Sequence, residues 1–228
     1  MNGRVPVAIM ISGRGSNMAA LVEASRAPDF PAEIVLVLSN RPDAKGLETA
    51  SAAGIATEVI DYRGKGSRKA FEEGASSAIE RSGAEIICLA GFMRLLSPGF
   101  VERWHDRLIN IHPSLLPAFP GLNTHERALE AGVKITGCTV HFVRAEMDNG
   151  PIIVQAAVPV SHKDTAETLA KRVLAVEHRV YPLALRLVAT GRARLVGDRV
   201  FIDEDVTDLP ALAVPPVSLR EVPDAAAG

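Results

Sequence analysis

The chain of 228 residues is 47% hydrophobic and 23% charged, the balance of an ordinary globular protein, which excludes a disordered or collagen-like chain. With 25 Lys and Arg against 27 Asp and Glu, the formal net charge is −2. No global positive field therefore gathers nucleic acid or an anionic membrane, and any anion must be held locally. Apolar stretches such as 86–90 and 152–154 fall far short of the ~20 residues of a membrane-spanning helix. The N-terminus enters a strand-like run at 5–11 without an apolar leader, so a cytoplasmic location is expected.

Short β-branched or aliphatic runs alternate with helical patterns. Strands are expected near 5–12, 33–39, 57–61, 85–90 and 107–112, and helices near 17–26, 45–53, 67–82 and 98–105. This is the βαβα order of a parallel sheet covered on both faces. Residues 113–121 are rich in Pro and Gly, a short helix follows near 124–131, and two strand-like runs occupy 135–143 and 151–160. The turn Asp148-Asn149-Gly150-Pro151 joins those runs into a hairpin.

Asp164 is expected to cap the next helix, with Glu167 completing a capping box. That helix carries Leu169, Val173, Val176, Val180, Leu183 and Leu187 as one apolar stripe, and Pro182 should kink it. Glu177 lies about 40° around the helix from Val173. From there it faces either solvent or a cleft at the sheet edge. The expected architecture is α/β, a doubly wound, mostly parallel sheet with a C-terminal antiparallel hairpin and a long kinked helix. A catalytic domain of residues 1–203 precedes a poorly ordered tail, 204–228, marked by Pro210, Pro215, Pro216 and Pro223. Cys88 and Cys138 stand in apolar strand-like runs without C-x-x-C spacing. They read as buried free thiols rather than a metal site, with a bridge between neighbouring strands as the lesser alternative.

Ser12-Gly13-Arg14-Gly15-Ser16-Asn17 joins the first strand to the first helix, where free N–H groups and the helix dipole favour an anion. A dinucleotide fingerprint needs glycine at position 18, which is Met18, and an acid at the end of the second strand, which ends Ser39-Asn40. A nucleotide P-loop fails for want of the Lys-Ser/Thr that should follow. The loop suits a single phosphate monoester or, equally on pattern, a plain tight turn. At the end of the fifth strand, Asn110 and His112 share a face at the carboxyl edge, where open α/β sheets bind ligands. Asp148 in the hairpin turn is placed to join them.

Asn110-Ile111-His112-Pro113-Ser114-Leu115-Leu116-Pro117, Gly91-Phe92-Met93-Arg94, the glycine loop and the segment Val140-His141-Phe142-Val143 through Asp148, Gly150 and Pro151 together resemble the phosphoribosylglycinamide formyltransferase family, over roughly residues 5–190. The resemblance implies a Rossmann-like formyltransferase fold and transfer of a formyl group from 10-formyltetrahydrofolate to the amine of glycinamide ribonucleotide in purine biosynthesis. It implies Asn110, His112 and Asp148 as the catalytic trio. In it His112 stabilises an oxyanion or delivers a proton, Asn110 donates to the same oxygen, and Asp148 orients the imidazole and favours its charged form. It places the ribonucleotide phosphate on Gly15, Ser16 and Asn17, and the sugar or amine end on Glu177. It lines the folate pocket with Met93, Arg94, Leu95 and Leu96, and closes the loop of Arg144 to Asp148 over it. It puts Arg68 near the folate tail, although a solvated helix start accounts for Arg68 as well. His141 receives only a supporting part. Small-molecule partners, no metal, and a monomer or homodimer are expected.

Methionyl-tRNA formyltransferase and formyltetrahydrofolate deformylase are the nearest rivals. Each expects an extra domain, which length, charge and the phosphate loop argue against. A non-catalytic sugar-phosphate module uses the glycine loop but leaves Asn110, His112 and Asp148 unexplained.

Overall fold

In β1 (Val5–Ile11), Val7, Ile9 and Ile11 alternate with Ala8 and Met10, sending consecutive apolar side chains to opposite faces, and all five are fully buried. A strand with no wet face belongs in the middle of a sheet covered on both sides. The computed structural model describes residues 3–61, 67–202 and 214, and β1 occupies that central place. After it come α1 (Ser16–Ser25), β2 (Ala32–Ser39), α2 (Gly46–Ala52), β3 (Ala56–Val59), α3 (Arg68–Arg81), β4 (Ile86–Leu89), α4 (Pro98–Arg103) and β5 (Leu108–His112). The chain continues through α5 (Thr124–Glu130), β6 (Ile135–Phe142), β7 (Ile152–Pro159), α6 (Ala166–Ala189), β8 (Arg194–Val196) and β9 (Arg199–Phe201).

The seven-stranded sheet has the order β3-β2-β1-β4-β5-β6-β7, with β1 to β5 parallel and β6 and β7 antiparallel. Strand order reverses between β1 and β4, so the carboxyl ends of those strands open a crevice at the switch point. One core packs Val7, Ile9 and Ile11 against Met18 and Leu21 of α1 and Leu169, Val173 and Tyr181 of α6. The other packs Ala8 and Met10 against Phe71 and Ile79 of α3 and Phe100 of α4. Tyr181 pins α6 to the sheet, its hydroxyl shared between Leu89 O at 3.1 Å and Ile109 O at 3.2 Å. No helix among the described residues is long and apolar enough to cross a membrane.

The predicted strands and helices are all present, and three details differ. The cap of α6 is Thr165, which forms its capping box with Thr168 rather than through Asp164 and Glu167. Asp164 instead accepts from Ser161 N at 2.8 Å and pairs with Arg172 at 2.8 Å, which ties the entry loop to the helix. The buried face of α6 is centred on Val173, Glu177, Tyr181 and Ala184, so Leu183 falls to its margin and is 47% exposed. The helix runs continuously through Pro182. A small hairpin, β8–β9, turns on Gly197 (φ 59°) and Asp198 within what pattern alone left unassigned. The predicted tail, 204–228, lies outside the described residues apart from Val214.

Cys88 lies on β4 and Cys138 on β6, with β5 between them, and both are free. Burial pushes each thiol up to about 12, which leaves little thiolate to react. A thiol reagent should therefore modify neither cysteine in the native protein and both in denaturant. Stoichiometric labelling in native buffer would contradict the packing.

Candidate active site

Gly15 is the N-cap of α1 in a left-handed conformation (φ 71°, ψ 30°), and no side chain caps the helix. A Cβ there would stand 3.0 Å from Gly46 Cα and 3.0 Å from Met18 Cε, so both the φ and the close approach of α2 require glycine. Gly46 N closes this contact by donating to Gly13 O at 3.1 Å. The positive end of a ten-residue helix is thus left without a side-chain acceptor. It borders a cavity of about 640 Å³, with Arg14, Ser16, Asn17 and Arg41 on one wall and Gly91, Met93 and Arg94 on the other.

Ser12 joins the two walls. Its backbone N donates to Gly91 O at 3.2 Å, and its Oγ accepts from Met93 N at 2.8 Å while donating to Asn40 Oδ1 at 2.7 Å. Ser12 and Asn40 are buried, and nothing in their sequence pattern marks this task. Of the predicted folate segment, Met93 and Leu95 are 71% and 66% exposed, and Arg94 is exposed too. Leu96 packs instead against the core that contains Phe71 and Trp104. Arg68 is exposed at the first position of α3.

The polar cluster forms where β5 meets β6, in a register that sets Asn110 opposite His141 and His112 opposite Thr139. His141 Nδ1 lies 2.9 Å from Phe142 O, and its Nε2 lies 3.3 Å from Asn110 Nδ2. A carbonyl only accepts, so Nδ1 carries the proton and Nε2 of the neutral ring accepts from the Asn110 amide. Burial holds His141 below its ordinary value, against the opposing pull of the Phe142 carbonyl and Asp148. His112 is buried, with Nδ1 3.5 Å from Asp148 Oδ2 and Nε2 3.0 Å from Phe119 O. Each of its ring nitrogens therefore faces an acceptor.

Asp148 sits in the β6–β7 turn with φ 54°, its side chain only 10% exposed. Its Oδ2 accepts from Gly121 N at 2.8 Å, and its Oδ1 lies 3.9 Å from His141 Nε2. The intervening loop is braced from below, because Thr139 Oγ1 accepts from Leu116 N at 3.0 Å and donates to Ser114 O at 2.7 Å. Asn110, His112 and Asp148 do come together, as predicted. His141 is a fourth member, and its signal was a lone polar residue in the apolar run Val140-His141-Phe142.

Arg144 points elsewhere. Its guanidinium lies 2.8 Å from Asp106 and 3.7 Å from Asp198, the turn residue of the small hairpin. It lines a larger cleft of about 1150 Å³ together with Glu102, His105 and Asp198. None of Asn110, His112, Asp148 or Glu177 borders that cleft or the smaller cavity at the glycine loop.

Glu177, 6% exposed on α6, accepts from Asn17 Nδ2 at 2.7 Å and so reaches the glycine loop. Asn17 Oδ1 is buried without a partner among the described residues. Burial raises the Glu177 carboxyl from its ordinary value of 4.5, partly offset by the bond from Asn17. A raised carboxyl means that folding disfavours the ionised form, a cost absent below the unfolded value and fully present above the folded one. Glu177→Gln removes that charge, keeps an acceptor for Asn17 and adds a donor beside its orphaned oxygen. The variant should melt at a higher temperature than the parent at pH 8, with an advantage that shrinks as pH falls towards 4. A lower melting temperature at pH 8 would contradict the buried-charge account.

The formyl transferase family model matches residues 5–185. The trifunctional purine biosynthetic protein adenosine-3 of Gallus gallus is 52% identical over 192 residues, covering 84% of this chain and 19% of that protein. This chain thus spans about a fifth of that relative's length. The phosphoribosylglycinamide formyltransferase of Escherichia coli is 42% identical over 197 residues, 86% of this chain and 93% of that one. The crystal structure of phosphoribosylglycinamide formyltransferase from Brucella melitensis is 55% identical with a TM-score of 0.79, covering 86% of this chain and 99% of that chain. Matched from β1 into α6, with near-complete coverage of the last two proteins, the chain belongs to the formyl transferase family and, within it, to the phosphoribosylglycinamide formyltransferases.

Proposed function

We propose that this chain transfers the formyl group of 10-formyltetrahydrofolate to the amine of N1-(5-phosphoribosyl)glycinamide, a step of purine biosynthesis, and that residues up to 203 carry the activity. The observation that carries this reading is the meeting of Asn110, His112 and Asp148 at a strand end, on the same carboxyl edge of the sheet as an uncapped helix start, in a chain of this family. The phosphate is assigned to the backbone at Gly15, Ser16 and Asn17 and the hydroxyl of Ser16, where the helix dipole favours an anion. Glu177, tied to Asn17, is assigned to the sugar or amine end. The folate is assigned to residues 93–96, whose exposed Met93 and Leu95 offer apolar surface to a ring system. Met147 and Leu122, 56% and 77% exposed next to Asp148 and Gly121, are further apolar groups that a ring system could cover. Leu96 and Arg144 serve through their main chain, since their side chains are committed to the core and to Asp106. Arg68 serves the folate tail.

Attack of the neutral amine on the formyl carbon generates a tetrahedral intermediate with an oxyanion; the attacking nitrogen gives up a proton, the bond from the formyl carbon to the folate nitrogen breaks, and the departing nitrogen gains a proton. His141 occupies one hydrogen of the Asn110 amide, and the other donates to the oxyanion. His112, held by Asp148, exchanges Phe119 O for the substrate and stabilises that oxygen or delivers the proton. The loop at 113–121 gives way as it does so. This route uses no metal and no covalent enzyme intermediate.

His112→Ala and Asp148→Asn should each lower kcat on the order of 10²–10⁴-fold, the range of a positioned acid–base group. Near-parental turnover by both variants would overturn the mechanism. Ser16→Ala should raise KM for the ribonucleotide and leave the folate KM almost unchanged. The opposite split would mean that the two pockets are exchanged.

A further inference from the structure

The segment 91–97 is exposed in its middle and gripped at both ends. At the near end Met93 N is tied to Ser12, and the Phe92 ring stacks on Phe71 of α3 with centroids 5.9 Å apart and planes 17° from parallel. At the far end stands Glu72, the neighbour of Phe71 on α3, 8% exposed. One of its carboxylate oxygens accepts from Ser97 N at 2.6 Å, and the other accepts from the Ser97 hydroxyl. Ser97 is in turn the N-cap of α4, its Oγ accepting from Phe100 N at 3.2 Å.

We propose that Glu72 is a positioning residue for the folate, holding the far half of segment 93–96 in its binding conformation through both polar groups of Ser97. The inference rests on the assignment of that segment to the folate pocket. Burying a carboxylate is costly unless its oxygens are engaged, and both oxygens of Glu72 are spent on one residue, where the segment turns into α4. The helix start at Ser97 adds a favourable field for the charge. Arg68 lies one turn earlier on the same face of α3, so a single helix face presents a cation at its exposed end and the clamp deeper in. Met93 stays anchored by Ser12 whatever happens at Ser97, so loosening the clamp affects the folate half and spares the phosphate half. Asn110, His112 and Asp148, on β5 and the β6–β7 turn, are carried by other elements.

The test compares steady-state kinetics of Glu72→Ala, Glu72→Gln and Leu95→Asp in the full chain. Glu72→Ala should raise the KM for 10-formyltetrahydrofolate about tenfold, the loss of hydrogen bonds to a charged group, with kcat and the ribonucleotide KM within about twofold of the parent. Glu72→Gln, which keeps one acceptor for Ser97 N, should recover part of the loss, and it carries the test if the alanine variant does not fold. An unchanged folate KM in Glu72→Gln and in a folded Glu72→Ala overturns the inference. So does an equal loss in both KM values and kcat, which marks a general structural role. Leu95→Asp reads the pocket assignment itself. If it leaves the folate KM unchanged, the segment is not the folate wall. If it raises that KM while the Glu72 variants do not, only the positioning role of Glu72 fails.

Discussion

The antiparallel pairing of β6 against β5, the last parallel strand, is the constraint on which the site depends. β6 enters at the carboxyl edge, with Thr139 opposite His112, and runs back to the amino end of β5, so the turn after it starts beside Leu108 and must fold back over the sheet. The register places His141 opposite Asn110, and the turn that follows carries Asp148 back over His112. The loop between β5 and α5 then has one place to go, under the turn, where Phe119 O and Gly121 N meet His112 and Asp148. Four side chains from two separate stretches, 110–112 and 141–148, are thereby fixed by one strand pairing and one turn.

The glycine loop lies across the switch point from this cluster, and the two are linked through the strand ends between them. Ser12 connects the loop to Gly91 and Met93, and Tyr181 holds α6 against β4 and β5 so that Glu177 reaches Asn17. Burial of Glu177 beside the orphaned oxygen of Asn17 costs stability that an apolar or amide side chain would not cost. A folding-only account leaves that cost unexplained, whereas a ribonucleotide that engages both groups accounts for it.

Much of this is legible in the amino-acid sequence. Period-two apolar runs and helical stripes located the main sheet and its helices because those elements are long and buried on one or both faces. Asn110, His112 and Asp148 stood out as polar groups at a strand end and a turn, and the family resemblance joined them. What pattern could not supply was register and direction. His141 gains its place only once β6 is set against β5, and the Arg144 side chain turns to Asp106 and Asp198, which are remote in sequence. The strands β8 and β9 are three residues each, too short for alternation to register, although Gly197-Asp198 is a turn signal. At α6, Asp164 and Thr165 are both good caps, and the choice between them rests on backbone geometry.

The most direct test follows where the one-carbon unit goes. The chain is incubated with isotopically labelled 10-formyltetrahydrofolate, with and without the glycinamide ribonucleotide, and the products are separated by mass. The account predicts label on the ribonucleotide amine when that substrate is present and almost no release without it. Label recovered as free formate at a similar rate in both incubations would contradict the account and mark a hydrolase.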